Sequence, residues 1–272
     1  KTHNILCCAA CIAKIKDKEY GQHTDCDVYS LSKIKEEKKS ELNNNIIFLE
    51  KLSKNFEEKY EQLMSILDSY LEKDKYYKST ICNIYYDTDN YDLIINSINK
   101  PKYKEKVRIR SYHVPKMDDE VFLEIKKKYD GIVGKRRIDL KLKDLYKYFE
   151  SGVIEDTDPQ VKNEIDYCFK KYNLKPKMFI GYDRLSYYDK NNINFRITFD
   201  TNLRSRETNL KLEEGDKGEY FFKDGKIIME TKALGSYPIW FTKILSSLQI
   251  YPVSFSKYGS IYSSKIKEGI YV

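Results

Sequence analysis

KVRIRSY, residues 106–112, alternates apolar and basic side chains, and the same scheme returns three more times along the chain. Successive side chains of an extended strand point to opposite faces, so residues two apart share a face. Val107 and Ile109 therefore take one face, Arg108 and Arg110 the other. In VFLEIKKK (121–128), Val121, Leu123 and Ile125 oppose Phe122, Glu124, Lys126 and Lys128. In NFRITFD (194–200), Phe195, Ile197 and Phe199 oppose Arg196, Thr198 and Asp200. In KIIMETK (226–232), Ile228, Glu230 and Lys232 share a face against Ile227, Met229 and Thr231. For any one strand, a half-buried sheet with a wet polar face accounts for this alternation. Repetition in four strands favours a sheet closed into a barrel, with apolar faces turned outward onto helices and cations lining the lumen. Such a tunnel suits a linear polyphosphate or a nucleoside triphosphate. The interleaved Glu124 and Glu230 are placed to hold a divalent metal on the phosphates.

Around these strands the chain divides in two. Between Gly21 and Pro101 there is neither glycine nor proline, and the stretch is rich in Lys, Glu, Leu and Asn. Ile46, Leu49, Leu52 and Phe56 recur at three- and four-residue steps, and Leu63, Ile66 and Leu71 continue after Tyr60, which predicts one long helix or two over 31–71. From Thr80 strands dominate: STICNIYYDT, YKEKVRIRSY, EVFLEIKKKYDG, KRRIDLKL, KMFIGYDRLSYY, NINFRITFDTNLR, EYFFKD, KIIMETKAL and YPVSFSKYG. Helices are expected over 142–152, 159–172 and 238–248. The result is an α+β fold: an antiparallel β-barrel of about eight strands with helices packed outside, preceded by a helical N-terminal segment. The expected division is 1–56, a Cys/His-containing segment and helix of separate origin, and 57–272, the tunnel domain.

With 272 residues, 41% hydrophobic and 33% charged, the chain has enough apolar matter for a core and is not mainly disordered. No apolar run approaches the roughly 18 residues of a membrane-spanning helix, and the first residues carry no secretory signal, so a soluble, cytoplasmic protein is expected. Lys and Arg number 49 against 42 Asp and Glu, which points to an anionic partner without choosing one. All eight arginines fall between Arg108 and Arg206 in an otherwise lysine-rich chain, the distribution expected where bidentate grip on phosphate matters. Chance placement on solvated strands explains the count equally well. His113, the one histidine of the body, ends a strand and reads as a turn residue.

In order, IYYDTDNYDLI (84–94), KPKYKEKVRIRSY (100–112), VFLEIKKKYDGIVGKRR (121–137), YDRLSYY with FRITFDTNL (182–203), METKALGSYPIW (229–240) and FSKYGS (255–260) resemble the VTC domain. This is the catalytic module of ATP-dependent polyphosphate polymerases, in the triphosphate tunnel superfamily. The resemblance implies a tunnel that binds ATP and passes its terminal phosphoryl group to a growing polyphosphate, with Mn2+ or Mg2+ as cofactor. It implies phosphate-gripping roles for Arg108, Arg110, Lys126, Arg184, Arg196 and Lys257, and further substrate contacts at Lys100, Glu124, Lys135, Arg137 and Lys232. Glu230 is the implied metal ligand. The acceptor is an already ionised phosphate terminus, so no strong general base is expected.

Two departures stand out. No clean opening strand precedes the helix expected from Glu57, leaving Lys54 or Lys59 as stand-ins for the family's first lysine. Ser97 occupies a position where the family has arginine. Further forward, Cys8, Cys11, His23 and Cys26 have the spacing of a four-ligand zinc site. Followed by a helix, they resemble part of a B-box-type zinc finger, whose coiled coil would mediate oligomerisation. Cys82 and Cys168 read as core. Three functions remain open: a polymerase; a triphosphatase, against which the missing ExExK opening counts; and a non-catalytic polyphosphate or inositol phosphate receptor. Nucleic acid is not an expected partner, because the basic residues lie on strands of a phosphate-tunnel pattern and not on one helix or aromatic platform.

Overall fold

Strands β2 (Leu71–Asp87), β3 (Tyr103–Ser111), β4 (Glu120–Tyr129) and β5 (Ile132–Lys141) form a meander that continues on its other side through β6 (Lys175–Asp189), β7 (Asn192–Arg206) and β9 (Ile227–Lys232). Two-residue strands β8 (Glu219–Tyr220) and β10 (Pro252–Val253) and the first strand, β1 (Asn45–Leu49), complete one antiparallel sheet. Its order is β10-β1-β9-β7-β6-β2-β3-β4-β5, with β8 on β7. Among the described residues the helices are α1 (Lys54–Asp68), α2 (Asp92–Ile98), α3 (Leu142–Ser151), α4 (Pro159–Tyr172), α5 (Ile239–Ser247) and α6 (Lys257–Lys267). These elements come from a computed structural model that describes residues 45–49, 54–154, 157–222 and 226–267.

The period-two pattern sorts the side chains into three apolar clusters and a polar lumen. Val107, Ile109, Leu123, Ile125 and Ile138 bury outward against Leu142, Leu145 and Tyr148 of α3 and Ile165 and Cys168 of α4. Phe195, Ile197, Phe199 and Met229 bury outward against Leu63 and Leu67 of α1 and Phe241 and Ile244 of α5. A third cluster lies on the opposite face, where Tyr258, Ile261 and Tyr262 of α6 meet Ile81, Tyr85, Met178, Ile180, Tyr182 and Ile228. Helix α6 thus fills one part of the concave side.

The sheet is curled. From β9 to β4 the path crosses five ladders, about 24 Å in a flat sheet at about 4.8 Å per step. Yet the Glu230 carboxylate on β9 acts on the Lys126 ammonium of β4, and Lys135 of β5 acts on Lys232 of β9. Only curvature brings these residues within electrostatic reach of one another.

Three expectations need correction. The stretch read as helix over 31–56 contains strand β1, which lies between β9 and β10 with Ile46 opposite Glu230 and Val253. The opening strand is therefore present, ahead of the boundary expected at residue 57. Lys54 and Lys59 stand on α1, and β1 (NIIFL) carries no charged residue. Finally, YPVSFSKYG is not one strand: only Pro252–Val253 pairs, and Lys257 opens α6. Cys82 and Cys168 are buried, as expected. Cys8, Cys11, His23 and Cys26 lie outside the described residues.

Candidate functional site: a basic tunnel

Two adjacent strands set the base of the site. Arg108 on β3 sits opposite Glu124 on β4, and its Nε donates to Glu124 Oε2 at 2.7 Å while Nη1 donates to Tyr85 Oη at 3.1 Å. Lys135 on β5 meets the other oxygen, Glu124 Oε1, at 2.5 Å. Burial would raise the Glu124 carboxyl, but Arg108, Arg110 and Lys135 outweigh it and bring it down to about 2. Arg110 donates from Nε to Asn83 Oδ1 at 2.9 Å and from Nη2 to Tyr182 Oη at 3.1 Å.

The second half comes from β6, β7, β9 and the start of α6. Arg184 holds Asp200 in a two-pronged pair, Nε to Oδ1 at 2.6 Å and Nη2 to Oδ2 at 2.8 Å, and Nη2 also reaches Glu230 Oε2 at 3.3 Å. Lys257 places Nζ 2.7 Å from Asp200 Oδ2 and 4.5 Å from the centre of the Tyr182 ring. Asp200 is fully buried and Lys257 is 10% exposed. Burial would raise the Glu230 carboxyl, yet Arg184, Lys257, Lys232 and Arg110 bring it down to about 2. Burial would likewise raise the Tyr182 phenol, and Arg110, Arg184 and Lys257 lower it. Lys257 goes the other way: burial lowers it, but Asp200, Tyr182 and Glu230 raise it overall.

Lys126 and Lys232 reach solvent inside the lumen. Burial and Arg108 lower Lys126 despite the attraction of Glu230. Glu230 would raise Lys232, 4.0 Å away, but burial with Arg184, Arg110 and Lys135 lowers it. Each carboxylate is thus bracketed by several cations, and the cations Arg108, Arg110, Lys126, Lys135, Arg184, Lys232 and Lys257 outnumber Glu124, Asp200 and Glu230. Chemically, this is a preformed cradle for a multiply charged anion.

A family model described as the VTC domain matches residues 18–265. The chain belongs to the VTC-domain family. The match starts ahead of residue 57 and takes in β1. No curated protein matches the sequence. Among solved structures, a Bacillus halodurans protein described as a candidate adenylate cyclase is similar at 14% identity and a TM-score of 0.47, covering 78% of this chain and 92% of that one. The PH1819 protein of Pyrococcus horikoshii OT3 gives 14%, 0.40, 82% and 98% in the same order. The Mimivirus capping-enzyme triphosphatase gives 11%, 0.34, 85% and 97%.

Within this VTC domain the expected site residues separate into two sets. Arg108, Arg110, Glu124, Lys126, Lys135, Arg184, Glu230, Lys232 and Lys257 converge as described. Arg196 does not join them: it is 56% exposed, lies opposite Lys232 in the ladder and reaches Asp74 at 3.8 Å. Arg137 pairs with Asp139 at 2.6 Å and covers the Phe122 ring. Lys100 is exposed, in the left-handed region (φ 53°), in the turn after α2. His113 is exposed and bonded to Asp119 at 3.0 Å. The sequence did not single out Asp200, Asn83, Tyr85 or Tyr182. Alternation put Asp200 on the polar face of its strand, but nothing local says that two cations bury it.

For a metal, the test is the donor set. Among the described residues no three His, Cys, Asp or Glu side chains come together as a metal centre. Glu230 offers a single ionised carboxylate inside the cradle. One carboxylate completed by substrate phosphates is the usual mode for magnesium, and oxygen donors suit manganese equally. The site fits an ion that arrives with phosphates.

Proposed function

We propose that this VTC domain is a polyphosphate polymerase that transfers the γ-phosphoryl group of ATP to the end of a growing inorganic polyphosphate. The observation that carries this is the convergence of Arg110, Arg184, Lys232 and Lys257 around Glu230, with Arg108 on Glu124 beside them, on the concave face of one curled sheet, in a chain of this family. Arginine forks grip non-bridging oxygens in fixed directions, while Lys126 and Lys232 add point charge. A divalent ion on Glu230, with Mn2+ or Mg2+ as the candidates, would supply charge neutralisation on the phosphates. Phosphoryl transfer depends mainly on alignment and on neutralising spread negative charge, and the cradle provides both. With its carboxyl brought down to about 2, Glu230 is too weak a base to take up a proton at neutral pH, in keeping with an acceptor phosphate that needs no base. Lys135 and Arg108 are held in place by Glu124 until substrate oxygens compete for them. Arg196, Lys100 and Arg137 are proposed as peripheral contacts to the chain.

The test is incubation of purified protein with ATP and Mn2+, with and without a short polyphosphate primer, beside Glu230→Ala. Long chains on a gel that disappear in the variant are expected. Free phosphate without chains would replace the polymerase by a triphosphatase, and polyphosphate binding with neither product by a receptor.

A further inference from the structure

Lys106 stands on the same face as Arg108, one strand repeat further out, about 7 Å along β3. In register it lies opposite Lys126, and Lys126 lies opposite Lys135, so three lysines form one row across three strands. The next row again sets two lysines face to face, Lys104 opposite Lys128. Like charges directly opposite one another destabilise a sheet, so folding alone does not account for these rows. Glu124, the nearest lumen carboxylate on β4, is already taken by Arg108 and Lys135. Lys106 instead places Nζ 2.8 Å from Ser256 Oγ, just before α6. Ser256 Oγ also accepts from Gly259 N at 3.2 Å. A serine hydroxyl has two acceptor sites and one donor, so this pair uses the acceptors and leaves the O–H proton to donate.

We propose that Lys106 and Ser256 form a second phosphate subsite, which takes a phosphate of a linear polyphosphate beyond the triphosphate gripped by Arg108, Arg110, Arg184 and Lys257. The assignment rests on the polyphosphate function proposed above. The groups around the Lys106 ammonium are Lys104 and Arg108 on β3, Lys126 on β4, Asp87 on β2 and the Ser256 hydroxyl. Asp87 is committed to the N–H groups of Thr88, Leu93 and Ile94 and to Tyr258 Oη. Burial, then Lys126, Lys104 and Arg108, bring Lys106 down to about 7. An incoming phosphate reverses that balance, so occupation of the subsite draws a proton from solvent at pH 8.

The experiment is calorimetric titration of the full chain with tripolyphosphate and with a long linear polyphosphate, at pH 8, in buffers of different ionisation heat. Wild type is expected to bind the long chain more tightly and to take up more protons with it. Lys106→Met is expected to lose about tenfold in affinity for the long chain, the scale of one charge-assisted hydrogen bond, and to keep tripolyphosphate affinity within about twofold. Lys106→Arg carries a fixed charge, so it keeps the long-chain affinity and loses the extra proton uptake. Equal losses on both ligands would place Lys106 in the triphosphate grip and overturn the second subsite. Unchanged long-chain affinity in Lys106→Met would also overturn it, as would undiminished proton uptake in Lys106→Arg, which decides the matter if the Met variant does not fold. Failure of wild type to bind tripolyphosphate would overturn the tunnel function itself, an outcome distinct from failure of the Lys106 arms alone.

Discussion

Asp200 is the residue on which the deep half of the tunnel turns. It is fully buried and accepts from both prongs of Arg184, with Lys257 on the same carboxylate. Burial would raise its carboxyl, but Lys257 and Arg184 hold it below the ordinary range. Removing one member of a buried charge pair leaves the other desolvated and unpaired, which costs about 3–5 kcal/mol. Asp200→Ala is therefore expected to lower the unfolding free energy by that amount, read as a lower urea midpoint at unchanged slope, with loss of activity following from misplaced Arg184 and Lys257. A midpoint within error of wild type would mean that Glu230 alone anchors both cations. The cations were legible because arginine is sparse in this chain and its placement carries information. The carboxylate that organises them was not, since an aspartate on the polar face of a strand looks the same whether it meets solvent or two buried cations.

Elements were legible where local chemistry was one-sided. Helix α4 has Asp158 at its N-cap, accepting from Gln160 N at 2.8 Å and Val161 N at 3.4 Å, and Pro159 in the first turn. Its expected span, 159–172, is the observed one. Loss of such a cap costs about 1 kcal/mol, so Asp158→Ala should lower stability by about that much in chemical denaturation, while Asp158→Asn should retain most of it. Strand β1 was not legible. In NIIFL the spacing of Ile46 and Leu49 continues to Leu52 and Phe56 as a helix would, although adjacent Ile46 and Ile47 favour a strand. What decides is distant: β9 on one side and β10 on the other offer backbone partners. Similarly, FSK reads as strand by composition, yet Ser256 accepts from Gly259 N and its carbonyl from Ser260 N, which starts α6.

For the molecule as a whole, the paired carboxylates tie stability to acidity. Glu124 and Glu230 fall from 4.5 to about 2 in the folded state, and Asp200 falls as well. Groups lowered by folding contribute stability that is complete above their unfolded value and is lost as pH falls through the folded one. The urea midpoint is therefore expected to decline from about pH 5 towards pH 2, less steeply in Glu124→Gln. Asp87, raised by burial, opposes this trend weakly. A flat profile over that range would contradict the bracketed carboxylates. The curled sheet with cations on its concave face was foreseeable from four alternating strands; that β9 and β4 are the strands facing each other across it was not, because no single strand encodes its partners across the lumen.

The place of β1 between β9 and β10 also sets an order in time. Its residues leave the ribosome well before the two strands they pair with, since Ile46 must wait for Glu230 and Val253. Closing a loop of that length is slow compared with forming the β3–β4–β5 meander, whose partners follow one another directly. The first strand of the sheet to be synthesised is thus among the last to be paired. Until then β9, the strand that carries Glu230, has one edge open to whatever else in the cell offers a backbone.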